Sequence, residues 1–449
     1  MSSTGTSSPQ SGAHLKRALG LWDLVFYGII LIQPTAPMPP YGVVSQVAHG
    51  HVVTTILIAM CAMLFTAISY GRMARAYPSA GSAYTYVGRE INSGLGFITG
   101  WSMAMDYILN PIICTIWCSK AALNLAPEIP YPAWAIFFAL LFTLLNLRGI
   151  RATAKTNQML VLAMCVVVAW FFVAAVRYLL HQHGVSLTRP FYDPSTFSWN
   201  RISTGTSIAV LTYIGFDGIS TLSEEAHNPR RNILLATVLT CLITGVLASL
   251  EVYLGQLVWP NFQSYPDVDT AFSYVAGRAG GQVLFHVVNL TLLVATIGSG
   301  MGSQLGAARL LYGMGRDNTI PRGFFAFISP GRGIPRNNVL FVGALALIFA
   351  FILSYQLGAE LLNFGAIIGF MGVNAAAFLR YYVRGEHKTL SNFLPPLLGF
   401  VFCLYIWKSL HLQAMIAGGI WMTIGILYVA YKTRGFKNRI EFSEIPPDA

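Results

Sequence analysis

The chain reads as an all-α polytopic membrane protein of twelve transmembrane helices, built as two inverted five-helix repeats with helices 1 and 6 broken. Three observations lead to this class. The 449 residues are 55% hydrophobic and only 10% charged, with a mean hydropathy of +0.59, too apolar for an ordinary soluble enzyme. Uncharged or nearly uncharged stretches long enough to cross about 30 Å of hydrocarbon recur along the whole length, joined by short polar connections. Two of these stretches are interrupted in corresponding places, the first at Gln33-Pro34-Thr35-Ala36-Pro37-Met38-Pro39-Pro40 and the sixth at Tyr213-Ile214-Gly215-Phe216-Asp217-Gly218.

Residues 1–15 are expected to be a disordered cytoplasmic N-terminus, because Met1 to Ala13 is rich in Ser, Thr, Gly and Pro. Lys16 and Arg17 then precede a span too long for a signal-peptide core, so the first helix is expected to be retained. The transporter domain runs over 16–433. Its spans are Leu21–Val47, Val52–Met73, Leu95–Leu125, Ala133–Leu147, Asn157–Leu180, Ser203–Leu222, Leu234–Val258, Gly281–Met314, Val339–Leu353, Leu361–Tyr382, Pro396–Leu410 and Gln413–Tyr431. If the two breaks correspond, the repeats cover about 20–181 and 202–383, separated by the polar external stretch His181 to Arg201. Five spans per repeat is odd, so the second copy is upside down, and one central site can face each side in turn. The last two helices, within 394–432, lie outside the repeat, and 434–449 form a cytoplasmic tail.

Charge placement supports this count. With both termini cytoplasmic, about 22 of the 28 Lys and Arg residues fall in cytoplasmic segments, a strong positive-inside bias that a shift of one span would destroy. The net charge of +11 therefore follows the membrane and does not indicate nucleic acid. Trp22, Tyr131, Trp134, Tyr178, Trp259 and Trp407 lie near span ends, where interfacial aromatics belong. The six cysteines, Cys61, Cys114, Cys118, Cys165, Cys241 and Cys403, all fall inside spans and read as small packing residues. No disulfide, metal site or cofactor is expected, since no His or carboxylate stands near Cys114 and Cys118 to complete a tetrahedral set. The chain has no room for a soluble catalytic domain. It also lacks a His-Glu-x-x-His helix, a Gly-x-Ser-x-Gly elbow and a phosphate-binding Gly-rich loop, so an enzyme is not expected.

The breaks point to a binding site. Proline removes a helix hydrogen bond and clashes with the preceding turn, and the backbone groups freed in this way must find protein, water or ligand. Paired interruptions in the two halves of a membrane protein mark a solute site near the bilayer midplane, though either can also be a structural kink.

Four segments resemble the amino acid-polyamine-organocation transporter superfamily, nearest to its bacterial putrescine-importer branch. They are Phe65 to Arg72 with Tyr77-Pro78-Ser79-Ala80-Gly81-Ser82-Ala83-Tyr84-Thr85-Tyr86, Gly215-Phe216-Asp217-Gly218 through Glu225, Arg309 to Asn318, and Asn363-Phe364-Gly365-Ala366. The resemblance extends over Lys16 to Tyr431. It implies the LeuT-like twelve-helix fold and secondary active transport of a small amine or amino acid. Two departures restrict the substrate. Amino acid members of this superfamily carry a glycine-type run in the helix 1 break that receives a carboxylate on bare N–H groups. Here Pro34, Pro37, Pro39 and Pro40 have no N–H to offer, which favours a cationic amine. Putrescine-like members place an acidic residue in the same linker, where this chain has Pro39. The lysine that many members carry in helix 5 corresponds here to Met164.

Intramembrane acids are candidates for function because an isolated carboxylate in hydrocarbon faces a cavity or a partner. Substrate-binding candidates are Gln33, Pro34, Thr35 and Ala36 in the first break, Asp106 and Tyr107 in helix 3, and Tyr213, Gly215, Phe216 and Asp217 in the second break. Asp217 can pair an ammonium or accept a coupling proton, or it can cap the freed N–H groups of the following half-helix. Asp106 and Tyr107, beside Asn110-Pro111, are a substrate contact or an interhelical hydrogen-bond cluster. Tyr213 and Phe216 are either cation–π partners or core.

Coupling and gating candidates are Asp217, Glu224, Glu251, Ser299 and Ser303. Glu224 and Glu225 can bridge to Arg230 and Arg231 as an inner gate. Glu251 either replaces the missing helix 1 acid or snorkels outward. Gly298 to Ser303 combines close helix approach with hydroxyls able to join a sodium site. The function expected is proton-linked import of a small organic amine, polyamine or amino acid across the plasma membrane by alternating access. Its partners are that substrate, a coupling ion (a proton in preference to sodium) and membrane lipids. The rivals are an exchanger, a sodium symporter, an intramembrane enzyme and a receptor that does not transport.

Overall fold

A computed structural model describes residues 19–77, 82–148, 154–222, 226–316, 320–329 and 333–435. The expectations for the N-terminus, Lys16, Arg17, Pro78 to Gly81, Glu224, Glu225, Asp317, Asn318 and the tail beyond 435 lie outside the described residues. Among the described residues every extended element is helical.

The first predicted span divides into α1 (Leu21–Ile32) and α2 (Tyr41–Val47). There follow α3 (Val52–Ala76), α4 (Ser82–Glu90), α5 (Ser93–Leu123), α6 (Tyr131–Leu147), α7 (Ala154–Leu180) and α8 (Trp199–Ala209). The chain continues through α9 (Pro229–Val258), α10 (Ala271–Arg316), α11 (Arg322–Phe325), α12 (Arg336–Phe349), α13 (Tyr355–Phe378), α14 (Leu390–Lys408) and α15 (Leu412–Lys432). Among the described residues seven helices are long and apolar enough to cross a membrane: α3, Gln158–Leu180 of α7, α9, α10, α13 with its π-helical extension to Val383, α14 and α15. α1, α6 and α12 are apolar but shorter. α5 has 31 residues and is more polar, carrying Asp106, Asn110 and Lys120.

Local chemistry explains where helices start. Asn92 caps α5 by accepting the Leu95 N–H at 2.8 Å, and Ser354 caps α13 by accepting that of Leu357 at 3.2 Å. Prolines stand in the first turns of α6 and α9, where a missing N–H has no helical partner to lose.

Three elements differ from the sequence expectation. α4 is an extra short helix in the connection after α3. α10 begins ten residues before the predicted span and kinks at Gly281, whose φ of 78° favours a residue without a Cβ. The sixth span is α-helical only to Ala209; it then tightens into 3-10 turns, Val210–Tyr213 and Phe216–Leu222, on either side of Ile214-Gly215.

Helices in lipid gain little from apolar burial against one another, so close backbone approach matters. Gly71 of α3 lies against Leu234 of α9, Gly365 of α13 against the Ser102 carbonyl of α5, and Gly300 of α10 against Phe142 of α6 and Cys114 of α5. Gly298 and Gly302 of the same run face open space, so within this run Gly300 makes the close helix contact. α15 is held to α5 by Trp101 and Trp421, stacked 4.7 Å apart, each indole N–H donating to the other's carbonyl at 2.9 and 3.0 Å. Of the predicted interfacial aromatics, Trp22 is exposed, whereas Trp407 packs inward on Phe364.

Two buried acids clamp the helix ends. Glu90 accepts hydrogen bonds from Tyr77 at 2.6 Å and from Arg380 and Arg384, tying α4 to the end of α13. Glu360 of α13 accepts the His411 N–H at 3.0 Å and pairs with His411 Nδ1 at 2.7 Å, joining α13 to the start of α15. The hydrogen bond to Glu360 raises the His411 pKa above its ordinary 6.5. A raised folded-state value stabilises below the unfolded value and is lost as pH rises through the folded one. The melting temperature is therefore expected to fall as pH climbs upward from about 6.5, and His411→Ala is expected to flatten this dependence. Parallel melting curves for the two proteins would contradict it.

Candidate functional site

The two breaks meet. A Cβ at Gly215 would stand 3.3 Å from the Leu31 carbonyl carbon, one at Gly218 would run into the Leu31 side chain, and one at Gly28 into Ile219. Gly215 has φ +122°, a conformation that only glycine adopts easily, so its identity permits both the bend and the approach. On the other side Gln33 has φ 72°, a strained value for a non-glycine residue, and its Nε2 donates to the Ala295 carbonyl of α10 at 3.2 Å.

Within the first break two N–H groups are engaged by turns, Ala36 to Gln33 O at 3.2 Å and Met38 to Thr35 O at 3.0 Å. Pro34 and Thr35 are buried, Ala36 partly so. Thr35 Oγ1 contacts the Met164 sulfur of α7 at 3.8 Å, so the residue standing in place of a helix 5 lysine does lie against the break.

Asp217 lies at the start of the Phe216–Leu222 turn. Its carboxyl lies close to the backbone N–H groups of Gly215, Asp217 and Gly218, and the Gly218 N–H also donates to the Gly215 carbonyl at 3.1 Å. This placement suits the capping alternative and sets a negative group beside the donors of the second break. Asp106 of α5 is 8% exposed and within electrostatic reach of Asp217. Tyr107 interacts electrostatically with both acids and with Tyr27, lies beside Gly306 of α10, and is 37% exposed although mid-helix, so it borders accessible space inside the bundle. Among the described residues no lysine, arginine or histidine compensates either acid. The arrangement concentrates negative potential at the junction of the breaks and offers few free N–H donors.

Other predicted residues lie elsewhere. Tyr213 is fully buried and donates its hydroxyl to the Ile56 carbonyl of α3 at 3.0 Å. Phe216 is fully buried between Tyr70 and Phe370, at ring distances of 5.5 and 5.4 Å. Ser299 reaches Asn110 of α5 at 3.5 Å, one turn beyond Tyr107; Ser303 is partly buried on the same helix. Glu251 is wholly buried in α9 and does not snorkel. Sequence reasoning missed Tyr70, whose buried hydroxyl has no hydrogen-bond partner and lies within electrostatic reach of Asp217. Its place in the Phe65 to Arg72 segment was the available signal. Asn363, at the head of another motif, donates to the Ser207 and Ile208 carbonyls just before the second break, at 2.7 and 3.3 Å.

A sequence model described as amino acid permease matches residues 24–429. The chain belongs to the amino acid permease family. It is 34% identical over 444 residues to the low-affinity putrescine importer PlaP of Escherichia coli K12, covering 96% of each chain. It is 26% identical over 455 residues to the branched-chain amino acid permease BcaP of Lactococcus lactis, covering 94% of this chain and 96% of that one. It is 28% identical over 413 residues to the vacuolar cationic amino acid transporter 4 of Arabidopsis thaliana, covering 85% and 66%. This permease is accordingly a multi-pass membrane transporter of the amine and amino acid class, and not an enzyme.

Proposed function

We propose that this permease imports a small cationic amine across the plasma membrane, coupled to protons, by alternating access around the two breaks. The observation that carries the reading is the site's donor balance. Asp106 and Asp217 lie in one electrostatic field with no basic partner among the described residues, while four prolines of the first break have no N–H, its Ala36 and Met38 N–H groups are held in turns, and the Asp217 carboxyl faces N–H groups of the second break. An ammonium gains from both features, and a carboxylate loses from both. Two acids also suit a substrate with two ammonium groups, in keeping with the putrescine importer among the relatives. The Gln33 amide and the Pro34 and Ala36 carbonyls are assigned as further contacts, with Tyr107 as the accessible aromatic wall.

The twelve-span count with termini inside and the five-plus-five inverted repeat belong to the same proposal. α1 with α2, α8 with its 3-10 turns, and α5, α6 and α12 complete the seven long apolar helices to twelve. The neutral amino acid reading rests on the BcaP likeness and predicts the opposite ligand ranking. In a thermal-shift screen, diamines are expected to raise the melting temperature more than monoamines, and both more than zwitterionic amino acids. A larger shift with a branched-chain amino acid would overturn the amine assignment. Uptake into proteoliposomes is expected to rise when an inside-alkaline gradient is imposed.

A further inference from the structure

Glu251 is the acid that the substrate site does not use. It lies on α9, is 0% exposed, and neither carboxyl oxygen has a hydrogen-bond partner. Asp217 faces backbone N–H groups of its own break and Asp106 adjoins the exposed Tyr107 and lies in the field of Asp217, so Glu251 differs in kind from both. One turn further along α9, Gly255 faces Tyr41 of α2 and Phe272 of α10, and Phe272 packs on Phe171 of α7 at 4.8 Å. All three rings are buried, and they close that end. Next to them Ser45 donates to Gln256 at 2.9 Å and meets Tyr265 at 3.1 Å, linking α2 to α9 and to the loop before α10.

On α7 the thiol of Cys165 interacts with Glu251, and its neighbour Met164 touches Thr35 of the first break. No other titratable or charged side chain on α1, α2, α3, α7 or α10 among the described residues acts on it. Glu251 is therefore joined through one stretch of α7 to the break that must rearrange during transport.

A charge alone in so apolar a setting needs a counter-ion or a proton. A hard metal cation takes about six oxygen ligands. Neither Glu251 oxygen has a hydrogen-bond partner among the described residues, and no group of three or more His, Cys, Asp or Glu side chains gathers there, so no side-chain ligand set for such an ion surrounds it. The substrate ammonium is accommodated by Asp106 and Asp217. What remains is a proton.

We infer that Glu251 is the proton-carrying group of the transport cycle, distinct from the acids that hold the substrate. The carboxylate takes one proton from water on the side facing the higher proton activity, crosses the closed state as the neutral acid, and releases that proton to water on the other side. No bond besides O–H forms or breaks. The inference rests on the proton-coupled reading above.

The test reconstitutes the full-length protein, its E251Q and its E251D variants in proteoliposomes and measures putrescine accumulation under an inside-alkaline gradient and putrescine counterflow without one. One proton coupled across one pH unit concentrates the substrate about tenfold in the wild type. E251Q is expected to equilibrate putrescine without concentrating it, while counterflow persists. E251D is expected to concentrate it with a displaced pH profile. A wild type indifferent to the gradient would overturn the proton reading and this assignment with it. A responsive wild type with an equally responsive E251Q would overturn the assignment alone, as would an E251D profile superimposable on the wild type should E251Q fail to fold.

Discussion

Asp217→Asn is expected to abolish uptake while leaving the protein folded. Asparagine keeps one carbonyl oxygen facing the N–H groups of Gly215, Gly218 and its own backbone, so the local geometry of the second break is expected to survive. What disappears is the negative charge that Asp217 shares with Asp106 at the junction of the breaks. Hydrogen bonds to a charged group contribute about 1.5–3 kcal/mol, so substrate affinity is expected to fall roughly 10- to 150-fold. The melting temperature should change little. Asp217→Ala separates the two roles, because it also removes the polar group facing those N–H groups and is expected to cost about 1–3 kcal/mol of stability as well. Uptake of labelled amine and melting curves of the three proteins check this. Near-normal uptake by the asparagine variant would remove Asp217 from substrate binding and leave it as a cap.

Gly42→Ala is expected to destabilise the protein by about 1–3 kcal/mol, the range for forcing a methyl into a well-packed site. Gly42 lies in the first turn of α2, and a Cβ there would overlap the Val268 carbonyl oxygen and crowd the Ala271 Cβ. The obstacle is backbone, not the end of a flexible side chain, so α2 itself must shift. A shift of α2 carries Ser45 away from Gln256 and Tyr265, loosening the closure on that side of the break. The variant should therefore melt lower, and the exchange of its Tyr41 to Val47 amides should quicken. A melting temperature within a degree of the wild type would show that the contact relaxes freely.

Much of the fold was legible in the sequence because hydrocarbon imposes a simple rule: a crossing segment must be apolar and satisfy its own backbone. That rule placed the long helices within a few residues, and proline chemistry placed the first break. It did not find α4, whose nine residues are not apolar enough to register, or the turns of α10 before Gly281. The site was legible in part. Asp106, Tyr107, Gly215 and Asp217 come together, while Tyr213 and Phe216, adjacent in sequence to Asp217, turn into packing against other helices. Periodicity does not report which way a residue faces once a helix has tightened to 3-10 geometry. Tyr70 was missed because its relation to Asp217 spans some 150 residues of chain and exists only after α3 and the second break are packed.

The sequence alone determined that this protein crosses a membrane repeatedly, that it has two interrupted segments, and that the first interruption lacks N–H donors, since proline carries that property wherever it stands. Tertiary structure alone decided what surrounds each acid. Asp217 came to face the N–H groups of its own break, Asp106 came within its field, Glu90 and Glu360 found cationic or imidazole partners, and Glu251 found no hydrogen-bond partner among the described residues. The free energy of a charge depends on the few ångströms around it, and helices distant in sequence supply that environment only once they pack.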